Sequence, residues 1–431
     1  MIKNHNWGND CMAQKTVVLG IDGVPYTFLQ AQFEKGAMPN LAAVCKTHGM
    51  KQMKSVFPTI SSVAWTTYMT GTNPARHNIM GFVDRVANPF EITINTGADR
   101  KAETIWEALS KKGDSVIVMN VPMTYPPIPV NGVLVAGFLC PDIRRVSYPA
   151  GFSTYLQEQG YCIDVDAHIA QESKREFISQ LIKVMDNRFD ITFDLLNTRD
   201  WDFFQVVIME TDRLYHFFWD DLEPGQEYSN EVEKFFKLLD DNIGKLLEKL
   251  PDDVRILLLS DHGFGKVSYE VQVNSWLEEV GLLSFPSTGP KALPNYAPES
   301  VCYSLLPGRI FLNLEGREEQ GRIKKADYTK VRNHVKEQLA LFKNPQTGEK
   351  IFSGIFDREE IYEGPYLEAA ADIIVHPSRG YDLKSRVGGK EIFNGSFMNG
   401  MHTYSDAFIC GINLDVAGVE TIADVKSILV D

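Results

Sequence analysis

"TVVLGID", residues 16–22, is a run of β-branched and aliphatic side chains that closes on a carboxylate, and its pattern decides the fold. A strand with one wet face alternates apolar and polar residues, whereas a run that is apolar at every position is buried on both faces. The pattern returns in "SVIVMN" 115–120, "FFQVVIME" 203–210 and "RILLLSD" 255–261, each followed by a polar or glycine-containing turn and a helix-like segment. Such alternation predicts an α/β fold, doubly wound around a largely parallel central sheet. Ligands of these sheets lie beyond the C-terminal ends of the strands. Three of the runs place an aspartate there: Asp22, Asp212 just past VVIME, and Asp261. A single strand-end aspartate is ordinarily a helix cap. Three of them, two closely followed by a histidine, point to a shared site.

A chain of 431 residues exceeds what one core usually supports. The expected organisation is an N-terminal extension over 1–15, a catalytic core over 16–270 and 371–431, and an inserted lid or cap over 271–370. The insert is announced by the turn-rich "FPSTGPKALPNYAPES" and carries its own short strand, "GRIFLNL" 308–314. Between 84 and 200 the pattern loosens around a proline-rich loop, "TYPPIPVNG" 124–132, and a long amphipathic helix over 173–196. No repeat of solenoid period is visible.

With 43 basic against 57 acidic residues the net charge is −14, which argues against a nucleic-acid duplex or an anionic membrane as partner, because both select a basic footprint. A phosphate-bearing substrate would then need locally concentrated positive charge, and bound metal is one source of it. The six cysteines show no CxxC spacing and read as reduced thiols. The opening "MIKNHNWGNDCMAQK" lacks the apolar stretch of a secretory signal, and no run approaches the ~20 apolar residues of a membrane span. A cytoplasmic protein is expected.

Chemistry-bearing residues gather in five fragments: "GIDG" 20–23, "FPTISSVAWTTYMTGTNPARH" 57–77, "TDRLYH" 211–216, "LLSDHGFG" 258–265 and "GMHTYSD" 400–406. Asp212 and His216, four apart on a helix, share one face and can grip one ion. Adjacent Asp261 and His262 can enter one cavity only from a strand end or turn, which Gly263 and Gly265 permit. Of nine histidines, His216, His262 and His402 fall in the last three of these fragments and His77 ends the hydroxyl-rich one. His5, His48, His168, His334 and His376 read as surface or satisfied core residues, and His77 stays open between an anion contact beside Arg76 and the start of a helix. Oxygen and imidazole ligands without thiolates suit Zn²⁺, Mn²⁺ or Fe. The hydroxyl-rich fragment, taken alone, reads as a turn capping a helix N-terminus.

Taken in order, "GIDG", a hydroxyl ahead of "TTYMTG" with "NP" and "HNI", the D…H pair, "SDHG" and a late "G.H" resemble the alkaline phosphatase superfamily, most of all its type I phosphodiesterase/nucleotide pyrophosphatase branch. A group of cytoplasmic phosphohydrolases in that branch is also similar at 115–138, 308–321 and 361–375, so the resemblance runs from about 16 to 412. It implies an alkaline phosphatase-like core and a pair of divalent cations, Zn²⁺ first and Mn²⁺ as the alternative. One ion would be held by Asp212, His216 and His402, the other by Asp22, Asp261 and His262, with a nucleophile hydroxyl at the second. Counting back nine residues from Thr70 assigns that hydroxyl to Ser61. The implied activity is phosphoric ester hydrolysis through a phosphoryl-serine, as a phosphodiesterase or nucleotide pyrophosphatase. The alternatives are a phosphomonoesterase, a phosphonate hydrolase, a phosphomutase, or a catalytically silent metal-binding protein. The implied partner is a small phosphoester, a nucleotide among the options, and homo-oligomerisation stays open. Two departures stand out: relatives commonly carry threonine at Ser61, and Ala64 occupies a place where nucleotide pyrophosphatases carry asparagine. Specificity is expected from the lid and from 84–200, with Arg144, Arg145, Lys266 and Tyr303 as weak candidates.

Overall fold

The computed structural model describes residues 14–389 and 391–430. The expected N-terminal extension, with His5 and Cys11, lies outside the described residues except for Gln14 and Lys15.

Thr16–Ile21 is the centre of an eight-stranded sheet. The order across it is Met50–Met53, Ala407–Ile412, Arg255–Leu259, Thr16–Ile21, Phe203–Ile208, Val116–Val121, Gly132–Ala136 and Ser147–Tyr148. The five strands from Arg255–Leu259 to Gly132–Ala136 run parallel. Ala407–Ile412 pairs antiparallel with both of its neighbours, and Ser147–Tyr148 is antiparallel to Gly132–Ala136. Burial explains why the central runs are apolar at every position. Val17, Leu19 and Ile21 pack on one side with Ile117, Met119, Ile256 and Leu258, under the helices Lys174–Thr198 and Ser229–Lys249. Val18, Val116, Val118, Leu257 and Leu259 pack on the other, against the helices Ser61–Thr70 and Ile105–Lys112.

Ser61–Thr70 is buried at all ten positions. A helix in that position cannot leave hydroxyls to water, and two of them are satisfied within it: Thr66 Oγ1 donates to the Ser62 carbonyl at 2.6 Å and Thr70 Oγ1 to the Thr66 carbonyl at 2.7 Å. The hydroxyl-rich stretch is therefore a helix threaded through the core, begun by Ser61 itself. Gly20 makes room for it, since a Cβ there would stand 2.4 Å from the Trp65 ring.

A second antiparallel sheet orders Cys302–Leu305, Arg309–Leu312, Ile373–Pro377 and Phe352–Asp357, and a three-stranded one joins Tyr269–Gln272 to Tyr381–Lys384 and Phe393–Asn394. They share a separate core built on Trp276, Tyr303, Phe311, Phe342 and Ile374. The segment so formed reaches past residue 370 to Asn394 and also enlists the hairpin Val83–Ala87/Phe90–Ile94. Arg85 of that hairpin lies 3.7 Å over the Phe311 ring and pairs with buried Glu318 at 2.6 Å. A pair this well enclosed ties the hairpin to the second sheet more firmly than an exposed one would.

Candidate active site

Four structural devices bring the fragments to the C-terminal edge of the main sheet. Asp22 follows the first strand directly and Asp261 lies two residues beyond Leu259, both fully buried. The helix Glu210–Phe218 presents Asp212 and His216 on one face, with Nε2 and Oδ1 3.5 Å apart. A two-stranded ribbon, Gly263–Lys266 with Gly400–Thr403, sets His402 opposite Phe264. That ribbon crosses the helix at Gly400, where a Cβ would meet the Tyr215 carbonyl at 2.1 Å. Ser61 begins its own helix and approaches from the far side.

The seven side chains meet. Ser61 Oγ is 3.1 Å from His262 Nε2, which lies 3.3 Å from Asp261 Oδ2 and 3.7 Å from Asp22 Oδ1. His402 Nε2 is 3.1 Å from Asp212 Oδ1 and 3.1 Å from His216 Nε2. The His262 and His402 rings stack at 3.8 Å.

Outer contacts fix which ring nitrogen faces inward. The Nδ1–H of His216 donates to the Gly400 carbonyl, that of His262 to the Gly263 carbonyl and that of His402 to the Thr59 carbonyl, at 3.0, 3.1 and 3.3 Å. All three Nε2 lone pairs are thereby turned toward the centre, the orientation of a metal-ligating imidazole. Trp65 Nε1–H donates to Asp22 Oδ2 at 2.8 Å and the Gly23 N–H to Asp261 Oδ1 at 3.2 Å. The other oxygens of these two aspartates, Asp22 Oδ1 and Asp261 Oδ2, are buried without a hydrogen-bond partner.

Charge at the centre is out of balance. Burial, joined by the charges of Asp261 and Asp212, drives the Asp22 carboxyl well above the usual carboxylate range, and burial pushes Asp261 up to about 7. Burial also depresses His262 far below its ordinary value and His216 down to about 4. His402 is raised, because although burial opposes its charge, the hydrogen bond and charge of Asp212 and the charge of Asp261 outweigh it. Burial alone would raise Asp212, yet the charges of His216, His402 and Arg213 hold it below the normal range. Orphaned carboxylate oxygens and inward-facing imidazole lone pairs in one largely buried cluster fit divalent cations. Asp212, His216 and His402 offer ligand atoms within 4.8 Å of one another, and so do Asp22, Asp212 and His262. Asp212 stands between the two groups, with Asp261 beside the second.

Residues 16–405 match the type I phosphodiesterase/nucleotide pyrophosphatase family. The chain belongs to that family. Among curated relatives, a venom phosphodiesterase of Crotalus durissus collilineatus is 23% identical over 301 residues, which cover 65% of this chain and 30% of the relative. Only about a third of that relative's length is thus represented here. Among solved structures, phosphonoacetate hydrolase from Sinorhizobium meliloti in complex with phosphonoacetate is similar with a TM-score of 0.66 at 17% identity, covering 97% of this chain and 95% of that one. Murine ectonucleotide pyrophosphatase/phosphodiesterase 5, inactive through T72A and in complex with AMP, is similar with a TM-score of 0.55 at 14% identity, covering 96% of this chain and 94% of that one. These likenesses establish the alkaline phosphatase-like fold of a family member.

Several residues outside the seven belong to the neighbourhood, and reading the sequence did not single them out. Half-buried Arg213 pairs with Asp164 at 2.6 Å and lies 3.5 Å from Asp212. His376, set aside as a surface or core residue, lines the cavity in front of His216 and His402. His77 is a satisfied core residue: its Nδ1 accepts from the Ile79 N–H and its Nε2 meets Thr67 Oγ1, both at 3.1 Å. Three weak specificity candidates are engaged elsewhere, Tyr303 with Glu318 at 2.8 Å, Lys266 with Asp220 at 2.7 Å and Arg144 with Asp142 at 2.7 Å. Arg145 lies over the Tyr125 ring instead of in the cavity.

Proposed function

We propose that this chain is a two-metal phosphoric ester hydrolase, in the manner of a phosphodiesterase or nucleotide pyrophosphatase, that works through a phosphoryl-Ser61 intermediate. The observation that carries the reading is the convergence of one serine hydroxyl with three inward-facing imidazoles and three buried carboxylates. Asp212, His216 and His402 would hold one cation, and Asp22, Asp261 and His262, with Ser61 Oγ, the other. Bound divalent ions lower the pKa of a coordinated oxygen and stabilise the entering and leaving oxygens of an in-line displacement.

The chain's own groups then have definite tasks. Ser61 Oγ attacks phosphorus while the bond to the leaving oxygen breaks, and water later releases the phosphoryl group and restores the serine. The first turn of the helix Ser61–Thr70 has unpaired backbone N–H groups that suit a non-bridging phosphoryl oxygen. Trp65 and Gly23 hold Asp22 and Asp261, and the three backbone carbonyls hold the imidazoles. Serine replaces the threonine of relatives without loss of the hydroxyl.

Zn²⁺ is our first assignment for the ions and Mn²⁺ the second, on the mixed oxygen and nitrogen donor set. We place the protein in the cytoplasm on its free cysteines, Cys45, Cys140, Cys162, Cys302 and Cys410 among the described residues. No helix among them is long and apolar enough to cross a membrane.

The test is hydrolysis of bis-p-nitrophenyl phosphate against p-nitrophenyl phosphate with Zn²⁺ or Mn²⁺, before and after chelation, with mass spectrometry for phosphate on the Ser61 peptide. Metal-dependent turnover with the diester preferred and a phosphorylated Ser61 is the expected result. Turnover of neither ester by metal-loaded protein would instead favour a silent metal-binding protein.

A further inference from the structure

The cavity in front of His216 and His402 has a volume of about 240 Å³. Clefts that enclose drug-sized ligands run to ~300–1,000 Å³, so this one suits a single ring or short chain. Its walls are mostly apolar and come from both halves of the molecule: Phe82 and Met398 from the main domain side, Leu306, Pro307 and Val375 from the second sheet, with Phe57 packed against the second core. Phe57 is held rigidly, stacked on Tyr404 at 4.1 Å with its carbonyl bonded to Tyr362 Oη at 2.7 Å. The edge of His376 lies against it, ring centres 5.0 Å apart.

Apart from the His216 and His402 rings at the reacting end, charge in the cavity is distributed to refuse anions. Among the described residues that line it, Lys384 is the one lysine or arginine, and its ammonium is already committed to Asp382 at 2.6 Å and lies 4.0 Å from Glu270. Two carboxylates around one ammonium leave that corner net negative. His376, half-buried, adds no cation at neutral pH, because burial lowers it to about 4. A ligand carrying a second phosphate or a carboxylate beyond the reacting phosphorus would leave that charge desolvated and unpaired, at a cost that selects against it.

We propose that this cavity is a specificity pocket for an uncharged, aromatic-sized organic group of the phosphoester, and that it excludes substrates bearing a second anion next to the reacting phosphorus. The inference rests on the hydrolase reading above and narrows it: a neutral organic phosphoester is accepted, whereas a phosphonocarboxylate or a polyphosphate chain entering this pocket is not.

The experiment compares two inhibitors with one headgroup, phenylphosphonate and 4-carboxyphenylphosphonate, against metal-loaded protein hydrolysing bis-p-nitrophenyl phosphate. Phenylphosphonate is expected to inhibit at least tenfold more tightly. In Met398→Lys, which sets a free ammonium into the wall at a partly exposed position, the preference should shrink to under threefold or reverse, with thermal melting reporting the fold. Hydrolysis accompanied by equal or tighter binding of the carboxylated compound would overturn this pocket assignment alone. The same holds for a wild-type preference that Met398→Lys, folded, leaves unchanged. Absence of any hydrolysis and of any phosphonate binding would overturn the hydrolase reading and this inference with it.

Discussion

Two walls meet at one cavity, and they differ in chemistry. The wall made by the main sheet is crowded with chemistry-bearing groups, seven side chains within a few ångströms of one another, five of them oriented by a backbone or indole partner. The wall made by the second sheet is apolar, and its nearest cation is neutralised by Asp382. The division separates reaction from selection: a phosphoryl centre needs concentrated positive charge, which ions held by the first wall would supply, whereas the second wall would discriminate by shape and by refusing charge.

The sharpest way to break this comparison is Ser61→Ala. It removes the proposed nucleophile and leaves both walls standing, so diester turnover should fall by roughly 10³-fold or more while metal content stays constant. An unchanged rate would move the nucleophile elsewhere. Next in size is Trp65→Phe, which deletes the hydrogen bond to Asp22 Oδ2 and leaves that carboxylate unsupported. Metal affinity should drop by about 10–100-fold in a competition titration.

These residues also show what the sequence could and could not disclose. The strand-end aspartates and the Asp212/His216 spacing were legible because secondary-structure period alone places them on one face. The parallel sheet was legible because strands covered on both sides must be apolar throughout. Gly20 and Trp65 were not, since their partnership depends on a helix 45 residues away in sequence crossing the strand. The second wall was opaque for a related reason. Leu306, Val375, His376 and Met398 line one cavity only through the pairing of sheets that no local pattern encodes, and His376 in isolation looks like any other surface histidine. The lid boundary expected at 370 reflects a break in composition, whereas the strands that build the segment continue to Asn394.

Gly20→Ala sharpens the packing side of the account. Its methyl would overlap Trp65, so overpacking should cost about 1–3 kcal/mol and lower the melting temperature, with a smaller secondary loss of activity through Asp22. The smallest effect expected is a pH dependence at His77, remote from both walls. Burial, with the nearby Arg100 charge, lowers it to about 3 in the folded protein. The unfolded chain therefore takes up this proton first as pH falls, so the stabilisation is fully present above the ordinary histidine value and is lost as pH drops from there toward the folded value. His77→Gln, which keeps a hydrogen-bonding group for Thr67, should flatten the decline in melting temperature between pH 6.5 and 4 relative to wild type. Parallel wild-type and variant curves would remove His77 from the explanation.

The central claim is that six ligands from four fragments hold two cations against Ser61. Metal stoichiometry by native mass spectrometry tests it directly: two divalent ions per chain in the wild type, falling to one in the double variant Asp22→Asn/His262→Ala. No stable metal in the wild type, or two ions still bound after those ligands are removed, would contradict the account.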